Sequence, residues 1–295
     1  MSATDQFLSA MEAAGLTPPD PLHADGDIHR FSPTGKRGDD AGWYVFHPDG
    51  VPAGVFGDWR SGESQTWCAK GEDELSDAER QAMCRRIKDA QRKRAAEEVR
   101  VHGESASNAL AAWEDAGPAV AHPYLAAKGV KPYGVRMDGH RLLVPMHDAT
   151  GKLNSLQIIS PDGTKCFMPG GRVRACYHAI GKPMGRVFVC EGYATGATIH
   201  EAMGDAVAVA FSAGNLLPVA VALRAKYPSL EIIIAADDDW KTPENPGLSA
   251  ARLAAQAVGG KVAVPDFTGL PRDDKDTDFN DLHQLAGAVR IGEQA

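Results

Sequence analysis

The chain has 295 residues, 43% of them hydrophobic, which is enough to bury a substantial core in two or three modules and excludes a disordered or fibrous polypeptide. Its net charge of −8 argues against a nucleic-acid partner only if the charge is even, and it is not: residues 131–186 hold nine Lys or Arg against three Asp, and residues 187–295 hold eight basic against fifteen acidic side chains. The start, MSATDQFLSAMEAAGL, lacks the basic segment and continuous apolar stretch of a signal peptide, and no run is long enough to span a bilayer, so a cytoplasmic, membrane-free protein is expected.

Residues 1–20 suggest a short helix ended by Gly15 and the Pro18–Pro19 pair. From Leu22 to Lys70 the pattern changes to short strands and tight turns, with Asp49–Gly50 marking a hairpin, so residues 1–72 read as a helix plus a small antiparallel β module. Arg30, Trp43, Trp59 and Arg60 interleave aromatic rings with cations, a pattern that stacks on bases while holding phosphates. The plainer alternative makes Trp43, Phe46, Phe56 and Trp67 the core of the module, and the sequence leaves both open.

Residues 73–118 read as a helical, basic linker. Leu75 to Arg100 contains no Gly or Pro, opens with a Ser76/Glu79 capping box and shows only a thin apolar stripe at Met83, Ile87 and Ala90. Between Arg80 and Arg100 eight basic residues face three acidic ones, fitting either an exposed helix between modules or a phosphate-contacting arm. A second helical piece, ASNALAAWEDAG, follows.

Residues 119–186 form the next segment. RLLVPMHD, LNSLQIIS and KCFMPG alternate with turn residues and predict antiparallel strands that carry Arg141, Lys165, Arg172 and Arg174. The five cysteines, Cys68, Cys84, Cys166, Cys176 and Cys190, include no CxxC pair, so free thiols and no zinc site are expected.

Residues 187–295 carry the strongest signal. VFVCEG, AVAVAFSAGN and EIIIAADDD each begin as a short apolar run and end in small or acidic residues, as buried parallel strands do. Ligands of open α/β sheets sit at the carboxyl ends of such strands, where Glu191, Asp237 and Asp239 fall. Alternation turns Asp237 and Asp239 to one side and Asp238 away, so that with Glu191 they can hold a divalent cation. A helix, the strand KVAVPDF and a second helix near DTDFNDLHQLAG follow; there Asp278 and Asp281 offer either a second carboxylate pair, as two-metal phosphoryl transfer requires, or a helix cap.

Glu191–Gly192 after one strand, Asp237-x-Asp239 after another and Asp278-Phe-Asn-Asp281 further on resemble the Toprim domain, and HPYLAAKGV, LLVPMHDATGKLNSLQII and GTKCFMPGG resemble the preceding half of the catalytic core in DnaG-like primases of phages, plasmids and mobile elements. The GDIHRF and GWYVFHPDGVPAGVFGDWRSG segments are similar to the leading part of those primases, so the resemblance spans roughly residues 22–285. It implies an α/β fold, a Rossmann-like, mainly parallel Toprim sheet preceded by an α+β subdomain and the β module. It also implies template-directed synthesis of RNA primers on single-stranded DNA from ribonucleoside triphosphates. Glu191, Asp237 and Asp239 would bind Mg²⁺ or Mn²⁺, with Asp278 and Asp281 supporting a second ion. Lys165, Arg141, Arg172, Arg174 and Gly192 would contact nucleotide, and Arg30, Trp43, Trp59 and Arg60 the DNA.

By this resemblance the chain departs from cellular primases in two respects: it has no zinc-ligand cluster, and it carries Thr195 where they place an Asp four residues after the motif Glu. It also has no GxxxxGK[ST] loop, so no fused ATP-driven helicase is expected. A replicative helicase is therefore expected as a separate protein, if one is used. The same carboxylates would also serve a Toprim nuclease that uses water as nucleophile, or survive in a non-catalytic nucleic-acid-binding adaptor.

Overall fold

Two groups of elements emerge in a computed structural model that describes residues 2–71 and 75–287 and the backbone of 291–294. Met1–Arg100 form one unit and Val101–Ala295 a second.

In the first unit, α1 (Ala3–Ala13) opens with a capping box between Ser2 and Asp5 and ends before Gly15, whose φ of 80° suits only glycine comfortably. The strands β1 (His29–Phe31), β2 (Gly42–His47), β3 (Ala53–Asp58) and β4 (Ser64–Cys68) follow as an antiparallel sheet in that order. The Asp49–Gly50 turn joins β2 to β3 as the sequence predicts, with Gly50 at φ 62°. Alternation splits the sheet's side chains between two cores. Tyr44, Phe46 and Phe56 pack on Phe7 and Met11 of α1, whereas Trp43, Val45 and Val55 pack on Ala90 of α2 (Asp77–Asp115).

The sequence leads to two helical pieces here, and the structure runs them together as α2. Gly103 costs a helix only about 1 kcal/mol, and the strong helix formers on either side outweigh it. The Ser76/Glu79 box caps its start. α2 is more than a connector. Up to Arg100 its side chains serve the first unit: Arg86 donates to the Val51 carbonyl and Lys93 to the Gly26 carbonyl and Asp27. Its last turns belong to the second unit, where Ala109 and Trp113 pack on Leu143 and Leu156.

The second unit continues with β5 (Gly117–Pro118), α3 (Pro123–Lys128), β6 (Arg136–Asp138), β7 (Arg141–His147), β8 (Leu153–Ile159) and β9 (Lys165–Phe167). The five strands pair antiparallel in chain order, as the turn residues imply.

A six-stranded sheet follows, built from β10 (His178–Ile180), β11 (Arg186–Cys190), β12 (Ala206–Val209), β13 (Glu231–Ala235), β14 (Lys261–Pro265) and β15 (Ile291–Gln294), with α4 (Tyr193–Met203), α5 (Ala213–Lys226), α6 (Pro246–Val258) and α7 (Phe279–Ala286) between strands. Its order is β10-β12-β11-β13-β14-β15; the inner four strands are parallel and the two edges antiparallel, the mainly parallel sheet expected from the apolar runs. Val187, Val189, Ile232 and Ile234 face α5 and α6, while Phe188, Cys190, Ile233 and Ala235 face α4 and α7. That second core also takes in Leu142, Val144 and Ile159, so one hydrophobic layer joins the antiparallel sheet to the parallel one.

Among the described residues no helix is long and apolar enough to cross a membrane, and all five cysteines are free thiols.

Gly57 of β3 marks the closest backbone approach in the first unit: a Cβ there would lie 2.3 Å from the Glu63 carbonyl oxygen. Gly57→Ala is therefore expected to cost about 1–3 kcal/mol, read as a lowered urea midpoint for the first unit; an unchanged midpoint would contradict this packing.

Candidate active site

Parallel strands leave their carboxyl ends on one edge, and α4 after β11 and α6 after the neighbouring β13 pack on opposite faces, which opens a crevice there. Glu191 stands directly after β11. Asp237 and Asp239 follow β13, the neighbouring strand. Asp278 and Asp281 arrive from the start of α7. Each of Glu191, Asp237 and Asp278 senses the charge of at least one other member, so the structure brings these sequence-distant acids together.

Desolvation, then the charge of Asp239, pushes Glu191 up to about 7, opposed by the Ala213 N–H at the start of α5. Burial and then the charges of Glu191 and Asp278 raise Asp237 well above the carboxylate range. Burial and Asp281 raise Asp278 as well. Among the described residues no three His, Cys, Asp or Glu side chains already stand in a coordinating array. Yet Glu191 Oε1 and Asp237 Oδ1 are buried without a hydrogen-bond partner. Buried carboxyl oxygens without donors are what a divalent cation would satisfy, so the residues fit one.

The neighbouring acids are committed. Asp239 accepts the Gly247 N–H at 3.0 Å. Asp238 turns away, as alternation requires, and pairs with Arg272 at 2.8 Å and Asn245 at 2.6 Å. Asp278 caps α7 through the Asn280 and Asp281 N–H groups and accepts the Thr195 hydroxyl at 2.7 Å. Asp281 closes the capping box and pairs with Lys128 at 3.2 Å. The cap reading of Asp278 thus holds alongside its place in the cluster. Thr195 is fully buried and supplies Asp278 with a donor.

The candidate cations divide. Lys165 of β9 lies over the Tyr124 ring, 5.3 Å from its centre, and feels Asp278, Asp237 and Asp281. Desolvation of the ammonium and then Lys128 lower its pKa. Gly192 begins α4 beside Glu191; a Cβ there would lie 3.1 Å from Thr195 Oγ1. Arg172 is held by Asp148 at 2.7 Å, Arg141 pairs with Asp138 next to the β6–β7 turn, and Arg174 is exposed.

In the first unit the expected DNA contact of Trp43 needs correction. Trp43 is 1% exposed and packs against Trp59 beneath the Arg94 guanidinium, so its ring is core and cannot stack on a base. Trp59 is flanked by Arg30 and Arg94. Arg60 is tied to Asp58 and Asp39. Stacking between guanidinium and indole stabilises this module itself, which explains the interleaved pattern.

Several site residues escaped the sequence reading. Lys128 and Tyr124 come from α3, and Arg272 from the loop before α7; a lone Lys, Tyr or Arg in a loop or short helix carries no periodic signal. Phe211 holds φ 73°, donates its N–H to the Glu191 carbonyl and packs edge-on against Phe167 of β9. Such a conformation costs a bulky residue roughly 1–3 kcal/mol and tends to mark functional sites.

Comparisons with known proteins show what the chain is similar to. Residues 186–289, which hold β11 to β14 and α4 to α7, match the family model described as Toprim domain. Over 280 residues, 89% of the chain, it is 38% identical to DNA primase TraC of Escherichia coli, and over 296 residues 37% identical to a second Escherichia coli DNA primase TraC. The chain spans only 26% and 20% of the length of these relatives. Among solved structures, it is similar to the primase fragment of the bacteriophage T7 primase-helicase protein (TM-score 0.38, 16% identity, 55% of this chain and 64% of that one). It is also similar to the RNA polymerase domain of Mycobacterium tuberculosis primase DnaG (TM-score 0.35, 20% identity, 55% of this chain and 58% of that one). The resemblance to DnaG-like primases of phage and plasmid type read from the sequence is borne out.

Two outcomes follow from the acid cluster. Thr195→Val removes a donor to Asp278 and is expected to cost about 1–3 kcal/mol in a urea melt, while Thr195→Asp, which sets a second carboxyl against Asp278, costs more; equal stability of both variants and the wild type would contradict the contact. Glu191 moves from its ordinary 4.5 to about 7, so the folded state binds the proton more tightly than the unfolded one. This contribution is fully present below pH 4.5 and is lost as pH rises to about 7, on the order of 3 kcal/mol. In EDTA the wild type should therefore lose more stability between pH 5 and 8 than Glu191→Gln does, and parallel Tm profiles would exclude the shift.

Proposed function

We propose that this chain is the catalytic core of a DNA primase, a nucleotidyltransferase that makes short RNA primers on single-stranded DNA from ribonucleoside triphosphates. The observation that carries the reading is the pair of buried, unpartnered oxygens on Glu191 and Asp237 at adjacent strand ends, with Lys165 facing the same cluster. That arrangement gathers and discharges phosphates, and phosphoryl transfer asks little else of a protein.

Glu191, Asp237 and Asp239 would hold Mg²⁺ or Mn²⁺, which when bound neutralises triphosphate charge and polarises the reacting phosphate. Asp278 and Asp281, whose oxygens are engaged with α7, Thr195 and Lys128, support the cluster from behind and would assist a second ion. In the reaction proposed, the primer 3′-hydroxyl attacks the α-phosphate, its proton passes to solvent, and pyrophosphate leaves. Lys165 and Lys128 orient the phosphates, with Tyr124 as an apolar seat for the Lys165 ammonium. Arg172 and Arg174 extend the basic surface on the segment before β10, Arg141 extends it at the start of β7, and the Gly192 backbone at the start of α4 adds to the nucleotide contact. The template is read in the cytoplasm. In the first unit, Arg30, Trp59 and Arg60 have polar or ring surface left to offer DNA, whereas Trp43 has none.

Incubating the protein with single-stranded DNA, labelled ribonucleotides and Mg²⁺ or Mn²⁺ is expected to give short labelled products, reduced by at least about a hundredfold in Asp237→Asn. DNA shortened without any labelled product would assign the same carboxylates to a nuclease instead.

A further inference from the structure

The loop that leaves β13 places a tryptophan immediately after Asp239. Trp240 is 43% exposed, and it belongs to neither hydrophobic layer of the parallel sheet. Its support is unusually fixed. The Arg272 guanidinium lies 5.0 Å from the indole centre and 4.1 Å from the Phe267 ring centre, making a Phe–Arg–Trp pile. Arg272 cannot swing, because it donates to the Asp238 carboxylate at 2.8 Å, the Asp238 carbonyl at 2.8 Å and the Asp276 carbonyl at 2.7 Å. The loop itself is pinned by the Trp240 N–H on the Asp238 carbonyl at 2.7 Å. A second cation, Lys241, stands 4.3 Å from the indole centre; it is half-exposed and pairs with the more exposed Asp274, a surface pair that another anion can displace.

Arg272 covers one side of the indole, and the exposed remainder is left for a ligand. Asp239, next in the chain, and the exposed Asp274 put negative charge on this surface, so a strand held here gains from an attachment that does not depend on charge. Stacking of a base on an aromatic ring provides that, and it accepts any base because every base has a π-face.

We propose that Trp240 is a base-stacking platform for single-stranded nucleic acid on the loop that follows Asp239, with Arg272 as its fixed backing and Lys241 as a phosphate contact. The proposal rests on the reading that a single strand is handled by this protein, and its test needs neither metal nor nucleotide.

Fluorescence anisotropy in EDTA with a short labelled oligodeoxythymidine, and with an abasic strand of the same length, reads stacking directly. Trp240→Ala is expected to bind the oligodeoxythymidine about tenfold more weakly, Trp240→Phe to recover most of the loss, and Trp240→Leu to recover none. The abasic strand should bind the wild type and Trp240→Ala alike. An unchanged affinity for oligodeoxythymidine, an equal loss on the abasic strand, or no binding by the wild type would each overturn the platform. Unaltered melting of the variants keeps the comparison clean, and recovery by Phe but not Leu separates stacking from bulk. Primer synthesis is scored separately: binding that depends on Trp240 without primer products overturns the primase reading and leaves the platform standing.

Discussion

Repulsion between carboxylates that share a partly desolvated strand edge governs this molecule. Glu191 and Asp237 are placed by adjacent parallel strands whose apolar runs have no freedom to shift, since a one-residue slip would turn every core side chain to the wrong layer. The acids around them are each satisfied: Asp238 by Arg272, Asp239 by a backbone N–H, Asp278 by Thr195 and the start of α7, Asp281 by Lys128. What remains is two oxygens without donors, held where burial and mutual charge raise their proton affinity. A fold that supplies partners to four acids and withholds them from two oxygens has concentrated its unfavourable electrostatics at one point.

The antiparallel sheet gains its meaning from that point. One hydrophobic layer runs from Leu142 and Val144 through Tyr193 and Phe188 to Phe279, which fixes β9 relative to the parallel sheet and carries Lys165 to the acids. Tyr124 and Lys128 of α3 complete the same wall. Buried Tyr124 has its phenol pushed up to about 12, so it stays neutral and serves as a ring beneath an ammonium.

The strand ends were legible because buried parallel strands are short, apolar and abruptly terminated, and because acids at such ends have little structural use. The hairpins were legible from Asp49–Gly50 and from the turn residues between β7, β8 and β9. Side-chain commitments were not. The sequence left Trp43 open between a base-binding surface and the core of its module, and only the fold shows that Arg94 of α2 closes over the Trp43 and Trp59 rings. Thr195 read as a lost carboxylate, since nothing in the sequence tells that Asp278 lies within 2.7 Å of its hydroxyl. Continuity of α2 through Gly103 was hidden because a single glycine's cost is small compared with the packing of the turns on either side. Phe211 gave no signal either, as a left-handed backbone at a bulky residue is imposed by tertiary contacts and leaves no trace in composition.

The central claim, that the unpartnered oxygens form a cation site, is tested most directly by Mn²⁺ binding followed by electron paramagnetic resonance at pH 8 without nucleotide or DNA. The account expects Mn²⁺ to bind the wild type and to bind Glu191→Gln and Asp237→Asn at least about tenfold more weakly, while Asp205→Asn, just before the amino end of β12 and paired with Arg186, leaves binding unchanged. Equal Mn²⁺ binding by all four proteins, or none by the wild type, would contradict it.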